Sequence, residues 1–402
     1  MPDNLAERAA VLLLDPAARD DPRTQRELLR DAPLLRTPVG WIAAGHPEIL
    51  RLARDPRLVI DPRAGDPPLP LTQSERLEAL FAGMLNFRDG APHARLRQLV
   101  TGVFGARQTD ALAPVVRRLV DELLDRALAT GRFDAVADLG VPLPVLTSCA
   151  LLELPRRDWP RVVAWARLMA AQLFRFGQPA ERIAAVDRQV AALTRYVTTL
   201  RGGLVAELRR ELAGDELTGD ELASFVALLF MNGLETVTLA IATAVGALLW
   251  RPGLADALRR DPAQAEAVFD ECLRLDSPLW IGARRAAEPI RGPIGRIAPD
   301  EPVFLLWAVA NRDPRVFADP DAFRPGRAGR HLAFGAGIHH CLGTALARLQ
   351  GATVLRRLAQ RTELSTNLDP ADVPRRRHPA LNGYAALPVT VRPRAASERR
   401  VA

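Results

Sequence analysis

Lysine is absent from this 402-residue chain, so all of its basic charge apart from histidine is carried by 54 arginines. An exchange of that kind reflects a GC-rich coding sequence rather than a mechanism. Cysteine is almost as scarce, and Cys149, Cys272 and Cys341 are too few and too scattered for a disulfide framework. Cys149 sits in the apolar run 146–152 and Cys272 in a helical pattern, so both read as core. A basic block is missing from the body of the chain despite a net charge of +7. Only Arg375-Arg376-Arg377 and Arg392 to Arg400 are locally basic, and they read as a solvated loop and a frayed tail. With no basic stripe or recognition motif, a nucleic-acid-binding module is disfavoured. Met1 to Leu5 lacks the charged-then-apolar pattern of a signal peptide or anchor, which points to a cytoplasmic protein. The one long apolar run, Phe225 to Trp250, carries Asn232, Glu235 and Thr236 in its middle. A carboxylate at bilayer depth is costly, so the run reads as a buried helix and no membrane contact is expected.

What is present is a chain that is 48% hydrophobic and 25% charged, enough for a large core. Helical periodicity covers Leu5–Leu14, Pro22–Arg30, His46–Asp55, Pro92–Phe104, Thr109–Ala129, Val141–Glu153, Asp158–Leu173 and Gln178–Ala213. An extended pair is expected near Thr37–Ala43, and Asp61–Asn86 reads as irregular loop. Thr218-Gly219-Asp220-Glu221 is a capping box opening the longest helix, to about Trp250. Gly253–Arg260, Pro262–Leu275 and Cys341–Ala359 follow as helices. Short strands are expected near Arg284–Ala287, Ile290, Pro302–Leu306, Glu363–Thr366 and Leu387–Val391. No repeat or interdomain linker interrupts this order. The expectation is one mainly α domain over residues 1–402 with small β-sheets, its last residues from about 392 a flexible tail.

The densest chemistry lies at Phe334-Gly335-Ala336-Gly337-Ile338-His339-His340-Cys341-Leu342-Gly343. Gly335 and Gly337 permit backbone angles closed to other residues and let amide N–H groups turn toward the Cys341 sulfur. A helix starting near Leu342 would add the positive end of its dipole, and both effects favour thiolate. This stretch resembles the haem-ligand loop of the cytochrome P-450 family, Phe-Gly-x-Gly-x-His/Arg-x-Cys-x-Gly, with every fixed position filled. The resemblance extends along the chain in family order, implies the cytochrome P-450 fold with the long central helix over the haem, and makes Cys341 the iron ligand. The absence of an N-terminal anchor places the chain with the soluble, bacterial-type members.

Further motifs carry the resemblance. Asn232-Gly233-Leu234-Glu235-Thr236-Val237 is similar to the family's oxygen-activation motif, implying that Glu235 and Thr236 bring protons to bound dioxygen. Asn232 departs from the usual Ala or Gly, which puts plain hydroxylation of an apolar substrate in doubt. Glu271 and Arg274 match Glu-x-x-Arg, and Arg327 in Phe323-Arg324-Pro325-Gly326-Arg327 would complete a buried network beneath the Cys341 loop. His93, Arg97, Arg284 and His331 fall where the family holds the haem propionates, with His339 as a further contact. Phe334 would shield the sulfur, and Gly335 and Gly343 would let the loop and helix lie close to the macrocycle. His340 and Arg348 would face the redox partner.

By resemblance the substrate pocket is lined by Phe81, Met84, Asn86, Phe87, Phe174, Leu228, Met231, Asn232, Trp280, Ile281 and Tyr384. The implied cofactor is b-type haem (heme b, iron protoporphyrin IX), with O2 as co-substrate. Electrons would come from NAD(P)H through a ferredoxin-type iron–sulfur partner. The implied activity is a monooxygenase inserting one oxygen atom into a small organic substrate of secondary metabolism, working as a monomer. Two other readings stay open: oxidative coupling, cyclisation or desaturation on the same fold, and a non-catalytic haem-binding sensor.

Overall fold

Apolar periodicity becomes helix over most of the chain in the computed structural model, which describes residues 4–61, 70–103, 105–172, 176–211, 218–292 and 295–394. The first helices are α1 (Leu5–Leu14), α2 (Pro22–Asp31), α3 (His46–Leu52), α4 (Glu75–Gly83), α5 (Gly90–Val103) and α6 (Ala106–Thr130). Then come α7 (Pro142–Leu151), α8 (Trp159–Gln172), α9 (Ala180–Thr199), α10 (Gly203–Glu211) and α11 (Gly219–Trp250). The chain continues with α12 (Leu254–Arg260), α13 (Ala265–Leu275), α14 (Trp307–Ala310) and α15 (Thr344–Arg361). Among the described residues ten short strands accompany them: β1 (Leu34–Thr37), β2 (Gly40–Ala43), β3 (Leu58–Val59), β4 (Arg132–Asp134), β5 (Gly282–Ala286), β6 (Ile290–Gly292), β7 (Gly295–Ile297), β8 (Pro302–Leu305), β9 (Thr362–Ser365) and β10 (Pro388–Pro393). They form a five-stranded sheet in the order β1-β2-β8-β5-β3, a three-stranded sheet β4-β10-β9 and the pair β6-β7. Among the described residues only β2 and β8 run parallel, Trp41 opposite Val303.

Helix α11 organises the interior. Its capping box is closed: Thr218 Oγ1 accepts from the Glu221 N–H and a Glu221 carboxylate oxygen accepts from the Thr218 N–H, each at 3.2 Å. The helix then runs about 48 Å at about 1.5 Å per residue, with α4, α7, α8, α9, α13 and α15 packed around it. It is long and apolar enough to cross a membrane, and most of it is buried by those neighbours.

Four expectations change. The stretch 61–86 is not all loop, because Ser74 accepts from the Leu77 N–H and opens α4, which buries Leu77, Leu80 and Phe81 on one face. The helix expected over 178–213 divides at Leu200–Gly202 into α9 and α10, with Gly203 at φ +55°. Helix α15 begins at Thr344, leaving Cys341 on the loop before it. Arg392 and Pro393 are strand residues, paired with Glu363 and Thr362, and residues 395–402 lie outside those described.

Candidate functional site

The Cys341 loop has the backbone its glycines require. Gly335 and Gly337 take φ of +69° and +72°, in the left-handed region. A Cβ on Gly337 would stand 1.9 Å from the Ala53 carbonyl oxygen, so this loop is moulded against the end of α3. The Cys341 N–H donates to Phe334 O at 2.9 Å, closing the loop on itself. Thr344 Oγ1 donates to Cys341 O at 2.9 Å at the start of α15. The Phe334 ring lies between the His331 ring, at 5.5 Å, and the Arg348 guanidinium, at 5.3 Å.

The Cys341 side chain is the one accessible thiol, while Cys149 and Cys272 are buried and pushed up to about 12 by burial, inert as expected. Around Cys341 the balance differs from the sequence expectation. Desolvation by neighbouring protein atoms raises its pKa, against the Gly343 N–H, the Thr344 hydroxyl and the Arg97 charge, which lower it. Loop and helix therefore do not make a thiolate unaided; a metal cation on the sulfur would. A Cβ on Gly343 would meet nothing nearer than this sulfur, at 4.0 Å.

Opposite chemistry appears on α11. Between Leu222 and Ala247 the helix is buried except for Leu229, Asn232, Gly233, Glu235 and Thr236. Positions 229, 232, 233 and 236 share one face, so mid-helix α11 presents an accessible stripe where every other turn is packed. Thr236 Oγ1 donates to Asn232 O at 3.0 Å, leaving its oxygen free to accept a second bond. The Asn232 side chain is exposed, and a Cβ on Gly233 would touch only Ser148 Oγ at 3.7 Å. Glu235, one step round the helix, is in charge contact with Arg376.

The expected basic residues divide into two sets. Arg284 is buried, donates only to the Ala283 carbonyl among the described residues, and is brought down to about 10 by desolvation. Arg97 is lowered by desolvation too, with only the Cys341 charge opposing it. No carboxylate lies within ion-pair distance of either among the described residues. His93 is buried with Nε2 unpartnered, and desolvation, aided by His339 and Arg97, brings it down to about 4. It is thus a neutral donor near pH 7 rather than the cation expected from its position.

His331 and His339 already have protein anions. His331 Nε2 faces Asp270 Oδ1 at 3.5 Å, and Arg348 Nε reaches the same oxygen at 2.9 Å. His339 Nε2 lies 2.9 Å from Asp89 Oδ1, with its ring 4.5 Å from that of His93. Asp89 Oδ2 accepts from the Ile60 and Asp61 N–H groups at 2.8 and 3.0 Å. Burial would raise its pKa, but these bonds and the one to His339 hold it below the usual carboxylate range. Asp89 and Asp270 belong to the site, and no local pattern in the sequence marks them. His340 contacts Arg330, and burial beside Arg330 and Arg97 brings it down to about 4. Neither His340 nor Arg348 is then a free cation for a partner.

The buried network expected of Glu271, Arg274 and Arg327 is assembled. Glu271 and Arg274 are 4% and 2% exposed, with Arg274 Nε and Nη2 donating to the two carboxylate oxygens at 2.7 and 2.9 Å. Arg327 Nε and the Arg324 N–H donate to Glu271 Oε1 at 3.0 and 2.7 Å. Arg274 also donates to the carbonyls of Asn311, Pro320 and Ala322, so every arm is used.

The pocket residues are placed less uniformly. Phe81, Met84, Phe87, Leu228 and Met231 are buried together in the cluster that includes α11, with Phe81 and Phe87 6.0 Å apart. Asn86 has a buried Oδ1 without a partner. The expected aromatic residues fall in two clusters. Trp280 packs with Leu12, Leu28, Ile42 and Leu306 beneath the Arg19 guanidinium, and Ile281 borders that cluster. Tyr384 is in the same cluster as Phe81 and Met231, where it lies against Trp250 and Gly246, roughly 15 Å along the α11 axis from Thr236. Phe174 lies outside the described residues.

An exposed sulfur, two desolvated arginines without carboxylate partners among the described residues and an accessible stripe on a buried helix fit a flat, anionic, metal-bearing group. Comparison with known proteins agrees. The family model described as Cytochrome P450 matches residues 193–382. The chain is 33% identical to the cytochrome P450 monooxygenase PikC of Streptomyces venezuelae over 88% of this chain and 86% of that one. It is 33% identical to the 6-deoxyerythronolide B hydroxylase of Saccharopolyspora erythraea over 91% and 95%. The crystal structure of CalO2 superposes with a TM-score of 0.82 at 29% identity, covering 93% of this chain and 96% of that one. That of P450BioI bound to an acyl carrier protein carrying hexadec-9-enoic acid gives 0.80 at 28%, covering 92% and 98%. With sequence, architecture and site in agreement over nearly its whole length, the chain belongs to the cytochrome P450 family and is a bacterial cytochrome P450 monooxygenase.

Proposed function

We propose that this monooxygenase binds b-type haem through Cys341 and inserts one atom of O2 into a small organic substrate of secondary metabolism. The exposed Cys341 on its left-handed glycine loop, with the half-buried Arg97 acting on it and the buried Arg284 lacking a protein carboxylate among the described residues, is the observation that carries this reading. When bound, haem supplies oxygen activation, a reaction outside the reach of protein side chains. The chain's own residues do the rest. Arg284, Arg97 and His93 would bond the propionates, and His331 and His339, held by Asp270 and Asp89, would orient the ring edges. Gly335 and Phe334 shape the sulfur side. Glu235 and Thr236 would hold and pass protons at the α11 stripe, where the Thr236 oxygen has an acceptor position to offer. Phe81, Met84, Phe87, Leu228 and Met231 supply apolar walls, and Asn232 would bond a polar group of the substrate. The whole chain would work as one domain and as a cytoplasmic monomer.

Electrons would arrive from NAD(P)H through a ferredoxin-type iron–sulfur protein. Arg54 and Arg330 are exposed beside the Cys341 loop, with Ile338 54% exposed between polar neighbours, a surface suited to an acidic partner. Oxidative coupling is the second reading. Asn232 in the stripe favours it, and a structural relative at 26% identity is CxnD, an enzyme for C–S bond formation in chuangxinmycin biosynthesis. Product mass separates the two: one added oxygen against two lost hydrogens.

The carbon-monoxide complex of the reduced protein tests haem–thiolate binding. The Soret band is expected at the long-wavelength position of thiolate-ligated haem and is lost in Cys341→Ser. A band at the histidine-haem position in the wild type overturns the reading.

A further inference from the structure

His46, the first residue of α3, is a buried histidine that none of the roles above uses. Its placement is fixed from the main chain. The first N–H groups of a helix have no partner within it, and the Asp313 carboxylate supplies one: the His46 N–H donates to Asp313 Oδ2 at 2.9 Å. Asp313 is itself wholly buried. Arg315 ties this corner together, donating from Nε to Asp313 Oδ1 at 3.0 Å and from Nη1 and Nη2 to Glu48 of α3 at 3.1 and 2.8 Å. A helix start held this way fixes where its first side chain points.

It points at the entry of the Cys341 loop. His46 Nε2 lies 2.8 Å from Arg330 O, and a carbonyl only accepts, so Nε2 carries the proton and donates. The ring meets Phe317 edge-on, with centroids 5.7 Å apart. Arg330 in turn reaches forward with its guanidinium, which donates to His340 Nε2, on the residue before Cys341. His46 therefore holds the main chain of a residue whose side chain holds the neighbour of the sulfur.

The rest of α3 follows the loop to its turn. Ile49, Leu52 and Ala53 are buried in one cluster with Leu332 and Ala336. Past the last turn, the Ala53 carbonyl sits against Gly337. His46 and Ala53 are roughly 10 Å apart at about 1.5 Å per residue, and Arg330 and Gly337 are the two points they touch. Helix α3 is thus a strut laid across the loop, apolar in its middle and polar at His46. From another side, Asn311 Oδ1 accepts from the Leu332 N–H at 2.6 Å. The His46 bond differs from the rest of the strut because it can be removed without changing the loop or the apolar cluster.

We propose that His46 is a positioning residue for Cys341: its bond to Arg330 O fixes the entry of the ligand loop, and so where the loop presents its sulfur. The inference rests on the haem–thiolate reading of Cys341. Without the bond, Arg330 is free to swing and its grip on His340 slackens. The stretch from Arg330 to Gly337 then gains room to carry the sulfur out of place.

The test uses the full-length haem-loaded protein as wild type, His46→Gln and His46→Phe. Glutamine can place an N–H where Nε2 stands, while phenylalanine keeps the ring against Phe317 and has no donor. The reduced carbon-monoxide complex is held in urea below the unfolding transition, and loss of the thiolate band is followed beside far-ultraviolet circular dichroism. His46→Phe should lose the band about tenfold faster than wild type, the size of one hydrogen bond lost by a part-buried carbonyl, with the dichroism unchanged. His46→Gln should stay within about threefold of wild type. The haem reduction potential should rise in His46→Phe and return in His46→Gln, since a sulfur held less well gives the iron less electron density. Hydrogen exchange of the wild type checks the strut without any substitution: the amides of α3 and of residues 330–337 should open together as urea is raised. Equal rates in wild type and His46→Phe, or no rescue by His46→Gln, overturn the role of His46. Band loss in step with the dichroism, or a loop still protected after α3 has opened, overturns it too. A wild-type carbon-monoxide complex without the thiolate band overturns the haem–thiolate reading instead.

Discussion

Replacing Glu271 by Gln tests the buried Glu271–Arg274–Arg327 network with almost no change of shape. The carboxylate accepts four bonds, three at Oε1 from Arg274 Nη2, the Arg324 N–H and Arg327 Nε, and one at Oε2 from Arg274 Nε. A glutamine amide must set its NH2 against a guanidinium on one side, so at least the Arg274 Nε bond is lost. The Arg274 guanidinium, 2% exposed, is left buried without its counter-charge. Breaking a buried pair from one side costs about 3–5 kcal/mol. Urea unfolding of the haem-loaded protein should report that loss. The pH dependence gives a second signature. Burial would raise the Glu271 pKa, but the bonds from Arg274, Arg324 and Arg327 outweigh it and hold the group below its ordinary 4.5. A depressed folded pKa contributes stability above the unfolded value, and that stability is lost as pH falls through the folded one. Wild-type protein should therefore lose this share as pH falls from about 4.5 through the depressed value, and Glu271→Gln should lack that part of the acid limb. A variant within about 1 kcal/mol of wild type, with an unchanged acid limb, would refute the account.

Arg284→Gln should release haem about 10- to 100-fold faster to a haem-scavenging globin, since one charge-assisted bond is lost. The same change should raise the urea midpoint of the haem-free protein, because it removes a buried cation whose pKa is brought down to about 10 by desolvation; a fall in both would contradict the assignment. Gly337→Ala should cost at least about 1–3 kcal/mol through its φ of +72° alone, and more through collision with Ala53 O. Gly343→Ala, with an ordinary φ and free space, should melt like wild type but retain haem less well if that side of the loop lies against the macrocycle. Thr236→Ala should keep the thiolate spectrum and divert reducing equivalents to hydrogen peroxide; an unchanged peroxide yield would remove Thr236 from proton delivery.

Local chemistry made much of this legible. The capping box at Thr218, the Glu271–Arg274 spacing and the two loop glycines each state their geometry within a few residues, and all three are found as expected. Long-range pairing is where sequence fell silent. Asp89 and His339 are 250 positions apart, so no window could show that this histidine already has its carboxylate. His93 reads as a cation by residue type, and only its burial beside His339 and Arg97 makes it neutral. Trp280 and Phe81 read as parts of one pocket by resemblance, yet they are buried in different clusters, because order along the chain does not say which elements a side chain packs between. Helix α4 was hidden by the proline- and glycine-rich run before it, although Ser74 and the spacing of Leu77, Leu80 and Phe81 carried the signal.

Glu221 does more than start a helix. One of its oxygens caps α11, and the other accepts from Arg95 of α5 at 2.6 Å, with Arg88 3.6 Å away. Helix α5 carries His93 and Arg97; α11 carries Asn232 and Thr236. The two walls thus share one pin, set roughly 16 Å along the α11 axis from Asn232. A change at Glu221, touching neither wall, would let them slide in register, and the aim of the reaction would drift while every group that performs it stayed intact.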